Sequence, residues 1–453
     1  MKILALAYHF PPDSGSGTFR SLFFFNHLAD LGEDLVVITA KVEDFATGST
    51  KDSELNSIVD HRIDIARASV MRPMDRLVRI KNLMSNAVGH RKTSHAEKTS
   101  HRPSSGRETA WLQGVKDTIS DLLTWPDEHV GWIPDAVRKG SRIISAESID
   151  CIYATGGPWS ALVAATLLKK KYRLPLVLDF RDPWTSNPNI EHRRALFKSS
   201  SCKLEAFCLR NADFIIANTE EVRQDFVRRY PHLPARKFVT ITNGFEHILQ
   251  EHEMTSNRRF TLVHAGELYQ SRNPANFFKA ILYLLQEGKF SSSEILVQLI
   301  GSSSLDQDVQ SLLCMELMRD VVEIIPRVPH SAAIQYQLAA DILVVFQTGF
   351  PLQIPRKFYE YMSLLKPVLA ITEIRGATAR MVKESNVGII AEPSVESIKE
   401  AIAKLYESWK SGAEVTVSRN DIARYQNDYL ALCLQAVLQN ACGETRGESA
   451  ARG

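Results

Sequence analysis

Long apolar runs, paired metal-ligand motifs and a strong net charge are all missing from this sequence of 453 residues. No uninterrupted apolar stretch approaches the roughly 18 residues that span a bilayer, so a transmembrane helix is not expected. The six cysteines form no C-x-x-C pair and the thirteen histidines form no H-x-x-x-H set, so a metal site has no support. A formal net charge of +2 gives no reason to expect nucleic acid as a partner.

The composition is that of an ordinary globular protein. Apolar residues make up 44% of the chain, which is enough to build a packed core. The length predicts two domains of roughly 200 residues each. Cysteines without a pairing pattern are typical of the reducing cytoplasm. The opening apolar run at 3–8 is short and leads into the segment HFPP, so we expect a strand there and not a signal peptide.

Apolar runs alternate with helical patterns through the first half of the chain. The strand at 3–8, a helix from about 18 to 31, a helix stop at Gly32 and a strand at 35–39 make one β-loop-α-β unit. Further strands are predicted at 150–154, 175–180, 213–217 and 238–240, with helices at 111–123 and 159–171. This pattern predicts a doubly wound parallel sheet within residues 1–245.

A second run of alternation follows the weakly hydrophobic stretch 246–258, which we predict to be a linker. The second domain is expected at 259–439. Its predicted strands are 260–264, 296–300, 321–325, 342–346, 367–371 and 387–391. The polar, basic stretch 85–110 is predicted to be a mobile surface loop, and 440–453 a disordered tail.

The first strand is followed by a loop with two glycines. Gly15 and Gly17 come just before a helix, where backbone N–H groups favour an anion or a sugar hydroxyl. A dinucleotide-binding fingerprint would need glycine where Arg20 stands, and an acidic residue near Thr39, so nicotinamide binding is disfavoured. A tight turn without a ligand explains the glycines equally well.

Charged and aromatic side chains are concentrated after the strand at 175–180. Asp179, Arg181, Asp182 and Trp184 lie at its carboxyl end, where open α/β sheets bind ligands. Carboxylates accept hydrogen bonds from sugar hydroxyls, and an indole offers a flat apolar face to a pyranose ring. The alternative is an internal Arg–Asp pair that pins the loop.

The second domain carries basic groups at equivalent places. Gly266 and Arg272 follow its first strand and would suit a diphosphate, with a solvated loop arginine as the alternative. A helix predicted to begin at Pro355 places Lys357 and Glu360 on one face. Lys357 could reach phosphate and Glu360 ribose hydroxyls, but an i,i+3 surface salt bridge explains the same spacing.

Two further segments were weighed for metal or membrane binding. Asp306 and Asp308 resemble a metal-binding carboxylate pair, yet a helical pattern follows them, so we predict that Asp306 is a helix N-cap. The basic, apolar segment 71–84 could lie on an anionic membrane surface, and an ordinary solvated helix explains it nearly as well.

Taken together, the segments FPPDSGSGTFR, LDFRDPW, TNGFE, HAGELYQSRNP and IPRKFYEYMSLLKPVLAI resemble, in this order, the motif series of family 4 glycosyltransferases with the GT-B fold. The resemblance runs from residue 1 to about 410, with 60–110 and the tail outside it. It implies two Rossmann-like domains that face each other across a cleft. It also implies a retaining, metal-independent transfer of a sugar from a nucleotide diphosphate donor, with no other cofactor.

Site roles are implied by position in these motifs. The implied donor-binding residues are Gly15, Gly17, Arg20, Gly266, Arg272, Arg327, Lys357 and Glu360. The implied acceptor-binding residues are Asp179, Arg181, Asp182 and Trp184. The candidates for catalysis are Asp182, His9, Arg272 and Lys357.

One departure from the family pattern concerns a glutamate that many members carry eight positions before Glu360, where this sequence has Leu352. A sugar contact is thereby put in doubt. Two alternatives stay open, a sugar-nucleotide epimerase of the same architecture and a catalytically idle scaffold that binds nucleotide sugars. The resemblance favours a saccharide or lipid-linked saccharide acceptor in surface polysaccharide synthesis, in the cytoplasm or at the inner face of the membrane.

Overall fold

The structure is a computed structural model of the chain. It describes residues 1–45, 52, 54–71, 125–188, 195–249, 259–268, 272–301, 305–413 and 417–450. The predicted mobile loop at 85–110, the predicted helix at 111–123 and most of the segments 71–84 and 246–258 lie outside the described residues.

The first sheet contains, among the described residues, seven strands in the order β3-β2-β1-β4-β5-β6-β7. The strands are β1 (Lys2–Leu6), β2 (Asp34–Ala40), β3 (Asp64–Ala68), β4 (Cys151–Gly156), β5 (Leu176–Phe180), β6 (Phe214–Ala217) and β7 (Phe238–Thr240). The accompanying helices are α1 (Ser16–Asp30), α2 (Glu54–Ile58), α3 (Ile133–Ala146), α4 (Trp159–Tyr172), α5 (Ala195–Asn211) and α6 (Glu220–Arg229). Neighbouring strands from β3 through β5 run parallel.

The local signals in the sequence explain these elements. The inner strands are nearly pure apolar runs because helices cover both faces of a doubly wound sheet. Gly32 has φ +84° and donates its N–H to the Ala29 carbonyl at 3.1 Å, which confirms the predicted stop of α1.

The second sheet has six parallel strands in the part of the chain that the structure describes, in the order β10-β9-β8-β11-β12-β13. They are β8 (Phe260–Ala265), β9 (Ile295–Ile300), β10 (Val322–Ile325), β11 (Ile342–Gln347), β12 (Val368–Thr372) and β13 (Gly388–Ala391). The helices are α7 (Ala275–Gln286), α8 (Gln307–Leu313), α9 (His330–Ala339), α10 (Arg356–Ser363), α11 (Ala377–Ser385), α12 (Val395–Lys410), α13 (Arg419–Ile422) and α14 (Asn427–Ala450).

Both sheets confirm the predicted Rossmann-like class. In the second sheet, α7, α8 and α12 build an apolar core on one face, and α9, α10 and α11 build another on the opposite face. The strand order reverses between β1 and β4 in the first sheet and between β8 and β11 in the second. Ligands of such sheets bind at these reversal points, beside the carboxyl ends of the strands.

No helix within the described ranges is both long and apolar enough to cross a bilayer.

By its contacts the chain divides into two compact units. The first unit comprises Met1–Phe180, Ile190–Ile215 and Leu438–Gly453, and the second comprises Arg181–Asn189 and Ile216–Val437. The predicted domains, 1–245 and 259–439, differ from this division in the loop after β5, in residues 216–245 and at the end of the chain, which joins the first unit from residue 438. Hydrogen bonds explain why that loop groups with α6, because Ser186 donates to Asp225 at 2.6 Å and Arg229 donates to Thr185 at 2.9 Å.

The predicted disordered tail at 440–453 was wrong for most of its length, since α14 continues to Ala450. Leu434, Leu438 and Ala441 are fully buried along one stripe of the helix. Cys442 Sγ lies 3.7 Å from Met1 Sδ. A helix anchored by such packing propagates into the following residues even where they are small and polar.

Candidate active site

Asp13 organises the loop between β1 and α1. Its buried carboxylate accepts hydrogen bonds from His9 Nδ1 at 2.6 Å, the Gly15 N–H at 3.2 Å and the Thr18 hydroxyl at 3.3 Å. Burial alone would raise the pKa of Asp13, but the hydrogen bonds from His9, Gly15 and Thr18 hold it below its usual value. The ionised carboxylate fixes the proton of His9 on Nδ1, so Nε2 is the nitrogen that can take a proton. Asp13 was not among the candidate residues predicted from the sequence.

A second histidine, His129, lies beside His9. It was not among the candidate residues predicted from the sequence. The ring centre of His129 is 5.8 Å from that of His9. Asp127 holds it there, because its Oδ1 accepts the His129 N–H at 2.9 Å, while the N–H and hydroxyl of Ser160 donate to the same carboxylate at 2.7 Å each. An Asp two residues before a His, ahead of a helix start, is the sequence signal that could have located this turn.

Two predicted ligand-binding residues, Arg20 and Asp179, are bonded to each other in the interior. Arg20 Nε and Nη2 donate to the Asp179 carboxylate at 2.8 and 3.1 Å, and the Tyr153 hydroxyl donates to it at 2.6 Å. Arg20 is 7% exposed and Asp179 is fully buried. Arg20 as a donor-binding residue and Asp179 as an acceptor-binding residue were therefore wrong, because their polar atoms are used inside the protein.

The loop after β5 gives a mixed result. The Trp184 side chain is fully buried, so its indole cannot stack on a sugar and that prediction was wrong. Asp182 is partly exposed, and its Oδ1 accepts a hydrogen bond from Gln353 Nε2 at 2.6 Å. Burial raises the pKa of Asp182, against the opposing effects of the Arg181 charge and the Gln353 hydrogen bond. Asp182 and Arg181 stay predicted acceptor-binding residues.

Helix α10 carries Lys357 and Glu360, with Pro355 at its N-cap position. Lys357 Nζ lies 3.4 Å from Glu360 Oε1, and Gln337 Nε2 of α9 donates to the same oxygen at 3.0 Å. The i,i+3 salt bridge considered as an alternative is therefore present. The Glu360 side chain is only 15% exposed, whereas that of Lys357 is 38% exposed, so the carboxylate is largely covered and the ammonium group stays accessible.

The loop after β8 contributes Gly266 and Arg272. Gly266 has φ +150°, a conformation that favours glycine. The guanidinium carbon of Arg272 lies 5.6 Å from the ring centre of Phe350, within reach of a cation–π interaction. Arg327, in the loop after β10, is exposed, as its predicted role at the nucleotide base requires.

Asp306 is at the N-cap of α8, as predicted, but its carboxylate does not bond to the helix. It accepts a hydrogen bond from Asn273 Nδ2 at 2.7 Å, and Asn273 Oδ1 accepts the Ala275 N–H at 2.8 Å at the start of α7. The carboxylate therefore joins two loops. Among the residues with described positions, no three His, Cys, Asp or Glu side chains form a metal-binding group.

His264 lies near the end of β8, and its imidazole is affected by the charges of Lys357 and Arg272. Its Nδ1 donates to the Val344 carbonyl at 2.8 Å. Burial and, to a smaller extent, the charges of Lys357 and Arg272 lower the pKa of His264 to about 4, against the opposing effect of the hydrogen bond to Val344. Arg272 follows β8 and Lys357 begins the helix after β11, so both come from the carboxyl ends of the two strands at the reversal point, and the charges of both act on His264.

Two protein-family models match this chain. The model for Glycosyltransferase Family 4 matches residues 96–247, and the model for Glycosyl transferases group 1 matches residues 248–421. The chain belongs to glycosyltransferase family 4. The family resemblance and the enzyme class inferred from the motifs are thereby confirmed, and the two models meet within the predicted linker at 246–258.

This family 4 glycosyltransferase shares the GT-B fold with several solved structures. Anabaena Alr3699/HepE in complex with UDP is 16% identical, with 97% of this chain and 100% of that chain covered and a TM-score of 0.62. A mutant of S. aureus TarM with bound UDP is 11% identical over 96% and 99% of the two chains, with a TM-score of 0.59. The lipopolysaccharide outer core galactosyltransferase WaaB is 12% identical over 98% and 100%, with a TM-score of 0.54. At these identities the likeness shows the fold alone. No curated protein sequence gives a significant match.

Proposed function

We propose that this glycosyltransferase moves a sugar from a nucleoside-diphosphate donor to a saccharide or lipid-linked saccharide, with retention of anomeric configuration and without a metal or other cofactor. Its support is the position of Arg272 and Lys357, which follow β8 and β11 at the reversal point of the second sheet. HepE and TarM are both described with UDP, which supports a uridine diphosphate donor.

The two cations would serve the departure of the nucleoside diphosphate. Negative charge grows on its phosphate oxygens as the glycosidic bond breaks, and fixed positive groups stabilise that charge best when they are in place beforehand. The pairing of Lys357 with Glu360 holds the ammonium group in position before the donor binds. Glu360 would in addition accept hydrogen bonds from the ribose hydroxyls, while Gly266 and Arg327 would lie along the rest of the donor.

The groups at the first sheet would serve the sugar and the acceptor. Gly15 and Gly17 open α1, so their backbone could border the donor phosphate and the transferred sugar. His9, oriented by Asp13, and the partly exposed Asp182 remain the candidates near the reacting carbon. We propose that the leaving phosphate helps to deprotonate the acceptor hydroxyl, and that positioning supplies the rest of the rate enhancement.

A single assay separates the proposal from its alternatives. The protein is incubated with UDP-sugars, with and without saccharide acceptors, first in EDTA and then with Mg²⁺, while UDP release and the sugar products are followed by NMR. Acceptor-dependent UDP release in EDTA with an unchanged anomeric configuration supports the proposal. An epimerised sugar formed without acceptor indicates an epimerase, and binding without turnover indicates a scaffold.

We also propose that the acceptor belongs to surface polysaccharide synthesis at the inner face of the membrane. The support is the family resemblance and the basic segment 71–84, of which the structure describes only Met71. Flotation of the protein with vesicles that contain anionic lipid, compared with a variant in which Arg76 and Arg79 are changed to Glu, tests membrane contact. Equal recovery of both proteins with the vesicles would count against it.

A further inference from the structure

Strands β8 and β11 separate at His264. The register between them pairs Leu262 with Ile342 and Val263 with Leu343, and it ends there. One residue further along, the His264 side chain bonds to the Val344 carbonyl at 2.8 Å. The imidazole thus bridges the two strands at the place where the backbone ladder stops, which is where a doubly wound sheet opens its ligand crevice.

The hydrogen bond to Val344 fixes the tautomer of His264. A carbonyl oxygen can only accept, so Nδ1 carries the proton, and a neutral ring then has a lone pair on Nε2. His264 is 9% exposed, and no residue with a described position donates to Nε2. A buried acceptor without a donor is unfavourable and rare in folded proteins.

The free side of Nε2 is turned toward Gly266. A Cβ atom added to Gly266 would lie 3.6 Å from Nε2 and, apart from its own chain neighbours, would have no other residue with a described position within 4 Å. Nε2 itself has almost no solvent-exposed surface, so a ligand would reach it from the side of Gly266, where the missing side chain leaves space. Lys357 and Arg272 act on the same imidazole, so this space belongs to the neighbourhood of the two cations.

We propose that His264 is a ligand-binding residue whose Nε2 accepts a hydrogen bond from a hydroxyl group of the bound nucleotide sugar. This inference rests on the proposed function. An ionised diphosphate has only acceptor oxygens, so Nε2, which is an acceptor while Nδ1–H bonds to Val344, cannot bind it, and that task falls to Arg272 and Lys357. The ribose and the transferred sugar are the parts of the donor that carry hydroxyls.

Calorimetric titration of three proteins with UDP and with UDP-glucose tests the inference. His264→Phe removes the acceptor and keeps a flat ring, whereas His264→Gln keeps an acceptor oxygen near the position of Nε2. We expect His264→Phe to weaken binding about 5- to 10-fold and His264→Gln to recover most of the loss. A loss on both probes assigns the contact to ribose, and a loss on UDP-glucose alone assigns it to the transferred sugar.

Two controls make the outcome decisive. His232→Phe changes an exposed histidine after α6 and should bind both probes as the unaltered protein does. Thermal unfolding shows whether each variant is folded. A folded His264→Phe variant with unchanged affinities overturns the inference and leaves the proposed function standing. Failure of the unaltered protein to bind UDP, UDP-glucose or any other nucleoside diphosphate overturns the proposed function and the inference with it.

Discussion

Three buried polar side chains at the carboxyl edges of the two sheets differ in whether the protein itself supplies their hydrogen-bond partners. At the first sheet, Asp13 and Asp179 are buried and each accepts several hydrogen bonds from the protein itself. At the second sheet, Nε2 of buried His264 has no donor among the described residues, and Gly266 leaves space beside it. A buried polar residue at a strand end is therefore a better candidate for ligand binding where the protein leaves its hydrogen-bonding capacity unused.

The largest effect is expected at the closed network of the first sheet. Asp179→Ala leaves the Arg20 guanidinium buried without its carboxylate, so the free energy of unfolding should fall by about 3–5 kcal/mol. Urea unfolding followed by circular dichroism measures the change. The control is Glu407→Ala, which breaks an exposed ion pair with Lys289 and should cost less than about 1 kcal/mol.

The result for Asp179→Ala can contradict the comparison between the two sheets. If Asp179→Ala keeps its stability and instead raises the KM for the acceptor, the carboxylate is accessible and belongs to the acceptor site after all. A loss of stability with the KM of the surviving enzyme unchanged keeps Asp179 in the framework that anchors α1 to β5.

The second prediction concerns the cations of the other sheet. Arg272→Ala and Lys357→Ala should each lower the turnover number for UDP release about 100-fold, or about 2.7 kcal/mol, because charge on the leaving group is no longer stabilised. Both side chains are partly exposed, so the unfolding midpoint should barely move. The matched control is Lys399→Ala, which removes a cation of α12 that forms an ion pair with Glu287 at the end of α7. Full turnover in either variant removes that cation from the site.

The fold was readable from the sequence because buried parallel strands appear as continuous apolar runs. Every strand of the second sheet was predicted within about two residues, and β1, β2 and β4 to β7 were found in the first. Strand β3 was missed because its sequence, DIARA, carries two charges and lies at the sheet edge, where only one neighbour shields it. Helix α3 was not predicted either, although Pro134 marks its first turn.

The site was readable only in part, because a motif fixes the place of a residue but not the direction of its side chain. Arg272 and Lys357 were found, since loops after parallel strands gather at one edge. Arg20 and Asp179 are 159 positions apart, so nothing in the local sequence indicates that each neutralises the other. His264 looked like one more residue of a buried strand, and its role depends on Val344, 80 positions away.

The third prediction is a pH dependence of stability between pH 8 and pH 5 that comes from His264 in the second sheet. The pKa of His264 is about 4 in the folded protein and near 6.5 in the unfolded chain, so the unfolded state binds more protons between these values. Stability from this residue is complete above pH 6.5 and is lost as the pH falls toward 4. It should decrease by about 2 kcal/mol between pH 8 and pH 5. Urea unfolding at several pH values should show this loss in the unaltered protein and a flatter curve in His264→Gln. Parallel curves for the two proteins would mean that His264 is not held neutral, and His232→Gln should leave the curve unchanged.

The smallest effects should come from two glycines, one at each edge. Gly266→Ala would introduce a Cβ at φ +150°, which should lower the free energy of unfolding by about 1 kcal/mol. The same methyl group would lie 3.6 Å from His264 Nε2, so UDP-glucose should bind several-fold more weakly. Gly156→Ala, at the end of β4, would place its Cβ 2.6 Å from Leu162 Cδ1, so a similar cost of about 1 kcal/mol should appear in stability alone. Thermal unfolding and calorimetry of both variants separate the two costs. A loss of affinity in Gly156→Ala without one in Gly266→Ala would contradict the comparison. UDP-glucose binding would then depend on packing at β4 in the first sheet and not on the space beside His264 in the second.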